Sequence, residues 1–202
     1  MTNRKSSSFD NPSRLFLAVD ALLIDPLMGP VYRGFVRSLV LDGNEDVLEV
    51  GCGTGRGSRH LAAALENGGR LTCMDNSTAQ CREARRRLRS WQNTEVAVGD
   101  ITKLALPPES QDVVVIHFML HDVETEARAD ALQALSQVLK PAGLFHIREP
   151  TKASHGIPVE EIRLLMKGAG LTERRGREHR LGVFGRVYSG VYEKEYRPLI
   201  HK

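Results

Sequence analysis

Hydrophobic positions along the chain change their spacing near residue 46. Before that point, apolar residues recur every three or four positions in two segments, which predicts two short amphipathic helices. These positions are Leu15, Val19, Leu22 and Leu23, then Val31, Phe35, Leu39 and Val40 after the Asp25-Pro26 break. From residue 46 onward, short apolar runs alternate with helical patterns, which is typical of a parallel sheet with crossover helices. The runs predict strands near residues 46–50, 70–74, 94–98, 111–117 and 143–148.

The second half of the chain adds two helices and a hairpin. Apolar spacing predicts a helix from about 124 to 139, stopped by Pro141, and another that begins near Pro158 and ends near Gly170. Between residues 181 and 196, alternation and turn glycines predict an antiparallel pair that closes the sheet. The sequence therefore predicts a mostly parallel α/β fold.

Composition narrows the class of protein only slightly. The chain of 202 residues carries 28 Lys and Arg against 25 Asp and Glu, a net charge of +3, which is too small to indicate a dedicated nucleic-acid binder. No apolar run approaches the ~18 residues of a membrane span. The polar N-terminus lacks the features of a secretory signal, so we expect a cytoplasmic protein. Cys52, Cys73 and Cys81 have no C-x-x-C spacing, which favours reduced thiols.

A glycine-rich segment follows the first predicted strand and leads into a helix. Its glycines alternate with other residues and exceed what a tight turn needs: Gly51, Gly53, Gly55 and Gly57. The dinucleotide fingerprint G-x-G-x-x-G lacks its third glycine whether it is aligned from Gly51 or from Gly53. The lysine of a P-loop is missing as well. Glu49 stands two residues before the first glycine, and a carboxylate suits a cationic ligand but repels a diphosphate.

This spacing resembles the first motif of class I S-adenosylmethionine-dependent methyltransferases. Further matches follow in the family's order: Asp75 ending the second strand, Asp100-Ile101 after the third, and Lys140-Pro-Ala-Gly143 before the fifth, with Ala142 in place of a glycine. Together the matches cover roughly residues 45–150. The resemblance implies S-adenosyl-L-methionine as the cofactor. It also implies a Rossmann-like, mostly parallel seven-stranded sheet with helices on both faces and a C-terminal antiparallel hairpin.

The resemblance also implies roles for individual residues. In the family, the acid and the glycine loop hold the methionine part of the cofactor, Asp75 would bind the ribose hydroxyls, and Asp100 would bind the adenine amino group. A carboxylate is a good acceptor for a diol. Asp75 is equally a candidate helix cap before Ser77, and Asp100 alone is an ordinary turn residue. The cofactor site expected in this way comprises Glu49, Gly51, Cys52, Gly53, Gly55, Asp75, Asn76, Asp100, Ile101, His117 and Tyr32.

Acceptor chemistry is expected in the loop after the fourth strand, because ligands bind at the carboxyl ends of strands in open α/β sheets. The loop contains His117 and His121 and lacks the Asn/Asp-Pro-Pro-Tyr/Phe signature of enzymes that methylate nucleobase or glutamine amino groups. The two histidines are four residues apart, so they would lie together if this segment were helical. They are candidates for a general base and its neighbour, for a metal pair without a third ligand, or for residues that line the site. We expect His121 first and His117 second as catalytic residues, and no metal.

An apolar loop with histidines looks like the branch of the family that methylates quinone precursors, lipids and other small molecules, so we expect a small-molecule or lipid-like acceptor. The short connector from Glu149 to Pro158 predicts an open pocket, which suits a bulky acceptor, a partner protein or a second copy of the chain. Lys152 and His155 in this connector are candidates to meet an anionic acceptor. Tyr32 and Arg33 are candidates for a lid over the cofactor, although Tyr32 also suits a core position.

Other interpretations stay open. The arginines of the predicted helix at 82–89 form a basic face without interleaved aromatic residues, which is typical of solvated surface and argues against nucleic acid. The chain is then either a methyltransferase for a small acceptor, a non-catalytic S-adenosylmethionine-binding regulatory or interaction protein, or an RNA or protein methyltransferase. We expect a flexible tail over 1–12, an N-terminal helical lid over 13–42 and a single methyltransferase domain over 43–202.

Overall fold

A computed structural model describes residues 25–103, 106–152 and 155–194 of the chain. The strands are β1 (Asp46–Val50), β2 (Arg70–Asp75), β3 (Thr94–Val98), β4 (Gln111–His117), β5 (Leu139–Pro150), β6 (Leu171–Arg180) and β7 (Arg186–Lys194). The α-helices are α1 (Asp25–Ser38), α2 (Ser58–Ala64), α3 (Thr78–Leu88), α4 (Arg128–Val138) and α5 (Val159–Gly168). The predicted tail over 1–12 and the first predicted helix lie outside the described residues.

The seven strands form one sheet in the order β3-β2-β1-β4-β5-β7-β6. Strands β1 to β5 run parallel, whereas β7 is antiparallel to both of its neighbours, β5 and β6. The carboxyl ends of β1 to β5 therefore meet at one edge of the sheet, where ligands bind in open α/β folds. This topology confirms the expected Rossmann-like, mostly parallel seven-stranded sheet with a C-terminal antiparallel hairpin.

Helices cover both faces of the sheet, as expected. Strand residues alternate between two apolar clusters because successive side chains point to opposite faces. Val47 and Val115 pack with residues of α1, α2 and α3 on one face. Leu48 and Ile116 pack with residues of α4 and α5 on the other face. The polar groups at the carboxyl edge are thus held by a sheet whose central strands are buried on both sides.

The C-terminal hairpin differs from the prediction in its position. The pair was expected between residues 181 and 196, but it consists of β6 and β7, joined by a turn at Gly182–Phe184. Strand β6 begins at Leu171, ten residues before the predicted segment. The prediction missed it because β6 is an edge strand with charged side chains on both faces. Such a strand carries almost no apolar alternation, so the pattern had no signal there.

Three smaller differences concern the ends of elements. The helix expected over 124–139 is α-helical only over Arg128–Val138, and β5 begins at once with Leu139, although Pro141 follows. Val40, predicted to belong to a helical stripe, lies beyond α1 with φ +55° and is 80% exposed.

Within the described part of the chain, no helix has the length and apolar character that crossing a membrane requires.

Candidate active site

The glycines at the tip of β1 adopt left-handed backbone conformations. Their φ angles are +75° at Gly51, +55° at Gly53 and +77° at Gly55. Residues with a Cβ rarely adopt such angles, so the geometry of this loop requires glycine. At Gly55, a Cβ would also lie only 3.1 Å from the Cα of Ala84 in α3. The loop therefore presents bare backbone at the carboxyl end of β1.

Hydrogen bonds tie this loop to β2. The amides of Gly51 and Cys52 donate to the same carbonyl oxygen of β2, at 2.8 and 3.1 Å. The Gly53 amide donates to Oδ2 of Asp75 at 2.9 Å, and Oδ1 of Asp75 accepts from the Ser77 amide at 2.9 Å. Asp75 thus connects the glycine loop to the start of α3. Each carboxylate oxygen has a second lone pair, so these bonds are compatible with the expected ribose contact.

Helix α3 supports the loop from the other side. Nε of Arg87 donates to the carbonyl oxygen of Thr54 at 3.0 Å, and Nη2 of Arg85 donates to the carbonyl oxygen of Val96 in β3 at 2.7 Å. The basic face of α3 was expected to be solvated surface. Two of its arginines instead bind backbone carbonyl groups of the glycine loop and of β3.

Glu49 is a buried acid without a cationic partner. Its side chain is on the face covered by α1 to α3, its residue is 5% exposed, and its Oε2 lies 3.6 Å from the Cys73 thiol, which donates to it. Burial raises the pKa of Glu49 to about 7, and the negative charge of Asp75 contributes to the rise. Among the described residues, no Lys or Arg lies within ion-pair distance of this carboxyl group. A buried carboxylate without a counter-charge is costly, so the position fits a cationic group of a ligand.

Tyr32 and His117 lie beside Glu49. Ring centroids are 5.4 Å apart between Tyr32 and His117, and 4.5 Å apart between Phe35 and His117. A Cβ at Gly57 would lie 3.3 Å from Cδ1 of Tyr32 and 3.1 Å from Oε1 of Glu49. Burial lowers the pKa of His117 to about 3, so its imidazole is neutral. The fold therefore brings three of the residues expected at the cofactor site together under α1.

The other expected cofactor residues continue along the same edge of the sheet. Asp100 and Ile101 follow β3, next to the end of β2. Oδ1 of Asp100 accepts from the backbone amide and the hydroxyl of Thr102 at 2.9 and 2.8 Å, which is the local turn role. Ile101 packs against the core, whereas Asn76 is exposed. These residues form the outer part of the predicted site.

A histidine and a buried glutamate form a pair at the carboxyl ends of β4 and β5. Nδ1 of His121 lies 2.6 Å from Oε2 of Glu149, whose side chain is fully buried. The amides of Met119 and Leu120 donate to Oε1 of Glu149 at 2.9 and 2.8 Å. The carboxylate is thus held in place, Nδ1 donates to it, and Nε2 remains as the basic nitrogen. Burial alone lowers the pKa of His121, but the hydrogen bond and charge of Glu149 raise it above its ordinary value.

The structure does not place His117 and His121 on one helix. His117 ends β4, Phe118 has φ +58°, and His121 lies in a short 3₁₀ helix, Leu120–Asp122. The left-handed residue sends His117 towards α1 and His121 towards Glu149. Nowhere in the described ranges do three or more His, Cys, Asp or Glu side chains converge as they would around a metal ion.

The connector after β5 contributes one contact to this pair. The ring of His155 lies edge-on to His121, with centroids 4.7 Å apart. Lys152 is exposed, as is Arg33 on α1. Sequence reasoning did not identify Glu149, which it treated only as the start of the connector. The available signal was an acidic residue at the carboxyl end of a buried strand.

Replacing Gly51 with alanine tests whether the loop requires bare backbone. A Cβ at this position would lie 2.2 Å from Cγ of Met119, in a backbone conformation with φ +75°. We expect Gly51→Ala to lower the free energy of unfolding by about 2 kcal/mol or more and to abolish cofactor binding, because the loop must move. Urea unfolding and calorimetric titration measure the two effects.

Gly68→Ala is the matched control. Gly68 has φ +95°, but a Cβ added there would have no atom within 4 Å, so this position shares the backbone strain and lacks the clash. We expect a cost of about 1 kcal/mol and unchanged binding. Equal effects of the two substitutions would show that Met119 is not the constraint at Gly51.

The fold and this carboxyl-edge site define a Rossmann-like protein that is built to bind a small cofactor at the tip of β1. Comparison with known proteins places it more narrowly. Residues 47–143 match the family model described as "Methyltransferase domain". Residues 47–143, a little under half of the chain, are therefore those of a methyltransferase domain, and the fold is that of S-adenosylmethionine-dependent methyltransferases.

Individual relatives agree with this placement. The chain is 30% identical to (S)-coclaurine N-methyltransferase of Thalictrum flavum subsp. glaucum over 130 residues, which cover 62% of this chain and 35% of that protein. It is 32% identical to demethylmenaquinone methyltransferase of Staphylococcus aureus (strain MRSA252) over 97 residues, 48% of this chain and 39% of that protein. The chain thus spans well under half the length of these two curated relatives.

A solved structure shows the same fold. The N-methyltransferase NodS of Bradyrhizobium japonicum WM9, in complex with S-adenosyl-L-homocysteine, superposes with a TM-score of 0.69 at 18% identity. The match covers 92% of this chain and 94% of that chain. The fold is therefore shared over nearly the whole length of both proteins.

Proposed function

We propose that this protein transfers the methyl group of S-adenosylmethionine to a small-molecule or lipid-like acceptor. The observation that carries the proposal is the buried carboxyl group of Glu49 beside three left-handed glycines. S-adenosylmethionine has an ammonium and a sulfonium group, so its amino-acid end supplies the positive charge that this position lacks. The names of the relatives, which include small-molecule methyltransferases, support the same class of acceptor.

The cofactor-binding roles follow the carboxyl edge of the sheet. Glu49 and the backbone of Gly51 and Gly53 hold the methionine end. Asp75 accepts from the ribose hydroxyls with the lone pairs that its loop contacts leave available. Asp100 and Ile101 contact the adenine. Cys52, Gly55, Asn76, Tyr32 and His117 complete the wall around the cofactor.

Bound S-adenosylmethionine supplies a methyl group that is already activated by its positively charged sulfur, so the protein contributes mainly positioning. His121 adds a base for an acceptor that carries a proton. Nε2 takes that proton, and Glu149 stabilises the imidazolium through Nδ1 at 2.6 Å. His117 forms a wall of the site beside Tyr32, because a neutral imidazole with a pKa of about 3 is a poor base at neutral pH.

Incubation with methyl-labelled S-adenosylmethionine and a cell extract tests the proposed reaction. We expect label in a low-mass fraction, and none with the Asp75→Ala variant. Label in RNA or in protein would contradict the small acceptor and support the other classes of methyltransferase. Binding of the cofactor without any labelled product would favour a non-catalytic binding protein.

A further inference from the structure

A row of polar residues crosses four strands on the face of the sheet that carries His117. The strand register places His117 opposite Arg148, Arg148 opposite Ser189, and Ser189 opposite Arg177. Residues paired in this way lie side by side on one face. The row therefore starts at the cofactor site and continues over β5, β7 and β6. Apart from His117, its members have no role in the proposed methyl transfer.

Arg148 is the buried member of this row. It is only 7% exposed, and burial lowers the pKa of its guanidinium to about 10. Nε donates to Oγ of Ser189 at 3.0 Å, and Cζ lies 4.5 Å from the ring centroid of Phe35. No carboxylate of the described residues lies within ion-pair distance of this guanidinium. An enclosed cation without an anion is costly to a fold, so this arrangement favours an anionic ligand.

Among the described residues, the titratable groups that act on this side of the sheet around Arg148 are neutral or positive. Burial lowers the pKa of His179 in β6, and the charges of Arg148 and Arg177 lower it further. His117 is neutral, and its Nε2 is enclosed without a hydrogen-bond partner in the described structure. Arg177 is exposed. Arg148 and Arg177 are both close enough to His179 for their charges to lower its pKa, and the enclosed Nε2 of His117 belongs to the same row. The two guanidinium groups, and Nε2 when it carries the ring proton, can donate to an anionic oxygen.

Aromatic rings lie beside Arg148 and His117. The rings of His117 and Phe118 have centroids 4.3 Å apart, and those of Phe118 and Phe184 are 5.1 Å apart, tilted by 31°. Phe184 comes from the turn between β6 and β7, and Phe118 from the loop that leads to His121. These rings cover one another's faces, so a flat apolar body that carries a charge at one end would pack against the outer side of Phe118 and Phe184 with its charge towards the guanidinium.

We infer that Arg148, with His117 beside it, binds an anionic oxygen group of the acceptor, a carboxylate or a phosphate, whose flat apolar part lies against Phe118 and Phe184. This inference rests on the proposed function and names the class of acceptor for that same site. Arg148 would orient the acceptor between the glycine loop and His121. It is a specificity-determining residue and takes no part in proton transfer.

Binding of three small probes to the complex with S-adenosylhomocysteine tests the inference. Benzoate carries a carboxylate, phenyl phosphate carries a phosphate, and benzamide is the neutral analogue of benzoate. At millimolar concentration we expect saturation-transfer NMR to show at least one anionic probe bound, with benzamide about tenfold weaker or absent. A preference for benzoate or for phenyl phosphate identifies the anionic group.

Variants assign the effect to Arg148. Arg148→Met should weaken the anionic probe about tenfold or more, and Arg148→Lys should retain part of the affinity because it keeps the charge without the planar fork. Arg180→Met, at an exposed position of β6, is the control and should bind like wild type. Arg148→Met should be at least as stable to urea as wild type, since it removes an enclosed charge.

Several results would overturn the inference. They are equal binding of benzoate and benzamide, unchanged binding in a folded Arg148→Met, or no binding of either anion while S-adenosylhomocysteine binds normally. A protein that binds no S-adenosylhomocysteine would contradict the proposed function instead. The probes are then measured on the protein without S-adenosylhomocysteine, where we still expect Arg148 to make the anionic probes bind better than benzamide.

Discussion

Replacing His121 with alanine is expected to lower the turnover number about 100-fold while the affinity for S-adenosylmethionine stays within about twofold. The reason is that Nε2 is the basic nitrogen of a histidine whose other nitrogen is held by buried Glu149 at 2.6 Å. Single-turnover transfer of labelled methyl to the acceptor found in the extract measures the first effect, and calorimetric titration measures the second.

His155→Ala is the control for this substitution. Its ring contacts His121 at 4.7 Å between centroids but makes no hydrogen bond to Glu149 in the described structure. We expect its turnover to stay within about threefold of wild type. If His121→Ala and His155→Ala turn over equally fast, His121 is not the base.

The pH dependence separates a base from a merely structural histidine. Glu149 and Asp122 raise the pKa of His121 against burial and the charge of Arg128, so the base becomes neutral only above its ordinary range. Activity should therefore rise with pH through this raised pKa. Glu149→Gln removes the larger negative charge and should move the rise to lower pH. An unchanged profile would remove His121 and Glu149 from the proton transfer.

Replacing Glu49 with glutamine is expected to weaken S-adenosylmethionine binding about 10- to 100-fold at pH 8, because a charge-assisted contact to the ammonium is lost. Burial raises the pKa of Glu49 to about 7, so the free protein holds a proton there below that pH. Binding of a cation should expel it. Wild-type affinity should fall about tenfold per pH unit below pH 7, and the affinity of Glu49→Gln should not.

Calorimetric titration with S-adenosylmethionine at pH 6, repeated in buffers of different ionisation enthalpy, measures how many protons are released on binding. We expect up to one proton from wild type and none from Glu49→Gln. Glu126→Gln, at an exposed position, should behave like wild type. Equal proton release by all three proteins would show that Glu49 does not face the cation.

The same pKa predicts the stability of the free protein. Because the folded pKa of Glu49 is raised above 4.5, the folded state binds more protons than the unfolded chain between about pH 4.5 and 7, and stability falls as pH rises through that window. At pH 8, Glu49→Gln should therefore be more stable to urea than wild type, by at most about 3 kcal/mol, and the difference should shrink at pH 4.5.

The parallel half of the fold was predictable because its signals are local. Strands β1, β3 and β4 coincide with their apolar runs, and a glycine loop can follow β1 only where three residues reach positive φ. Strand β6 was not predictable from apolar spacing, because an edge strand of charged residues buries almost nothing. Its position depends on pairing with β7, which is a tertiary contact.

The residues of the candidate site also fall into those that the sequence indicates and those that only the fold reveals. Glu49, Asp75 and His121 stand in recognisable motifs, whereas Glu149 and Arg148 sit at the end of a strand that reads as core. Their roles arise from contacts across the sheet, to His121 and to Ser189, which spacing along the chain does not reveal. The helical spacing of His117 and His121 was misleading because one left-handed residue, Phe118, separates them.

Calorimetric titration of the wild-type chain with S-adenosylhomocysteine tests the central claim most directly. If the tip of β1 holds an amino-acid cation against Glu49, one ligand binds per chain and Gly51→Ala binds none. If wild type gives no heat and no thermal stabilisation at millimolar ligand, the glycine loop is not a cofactor site and the proposed methyl transfer is wrong.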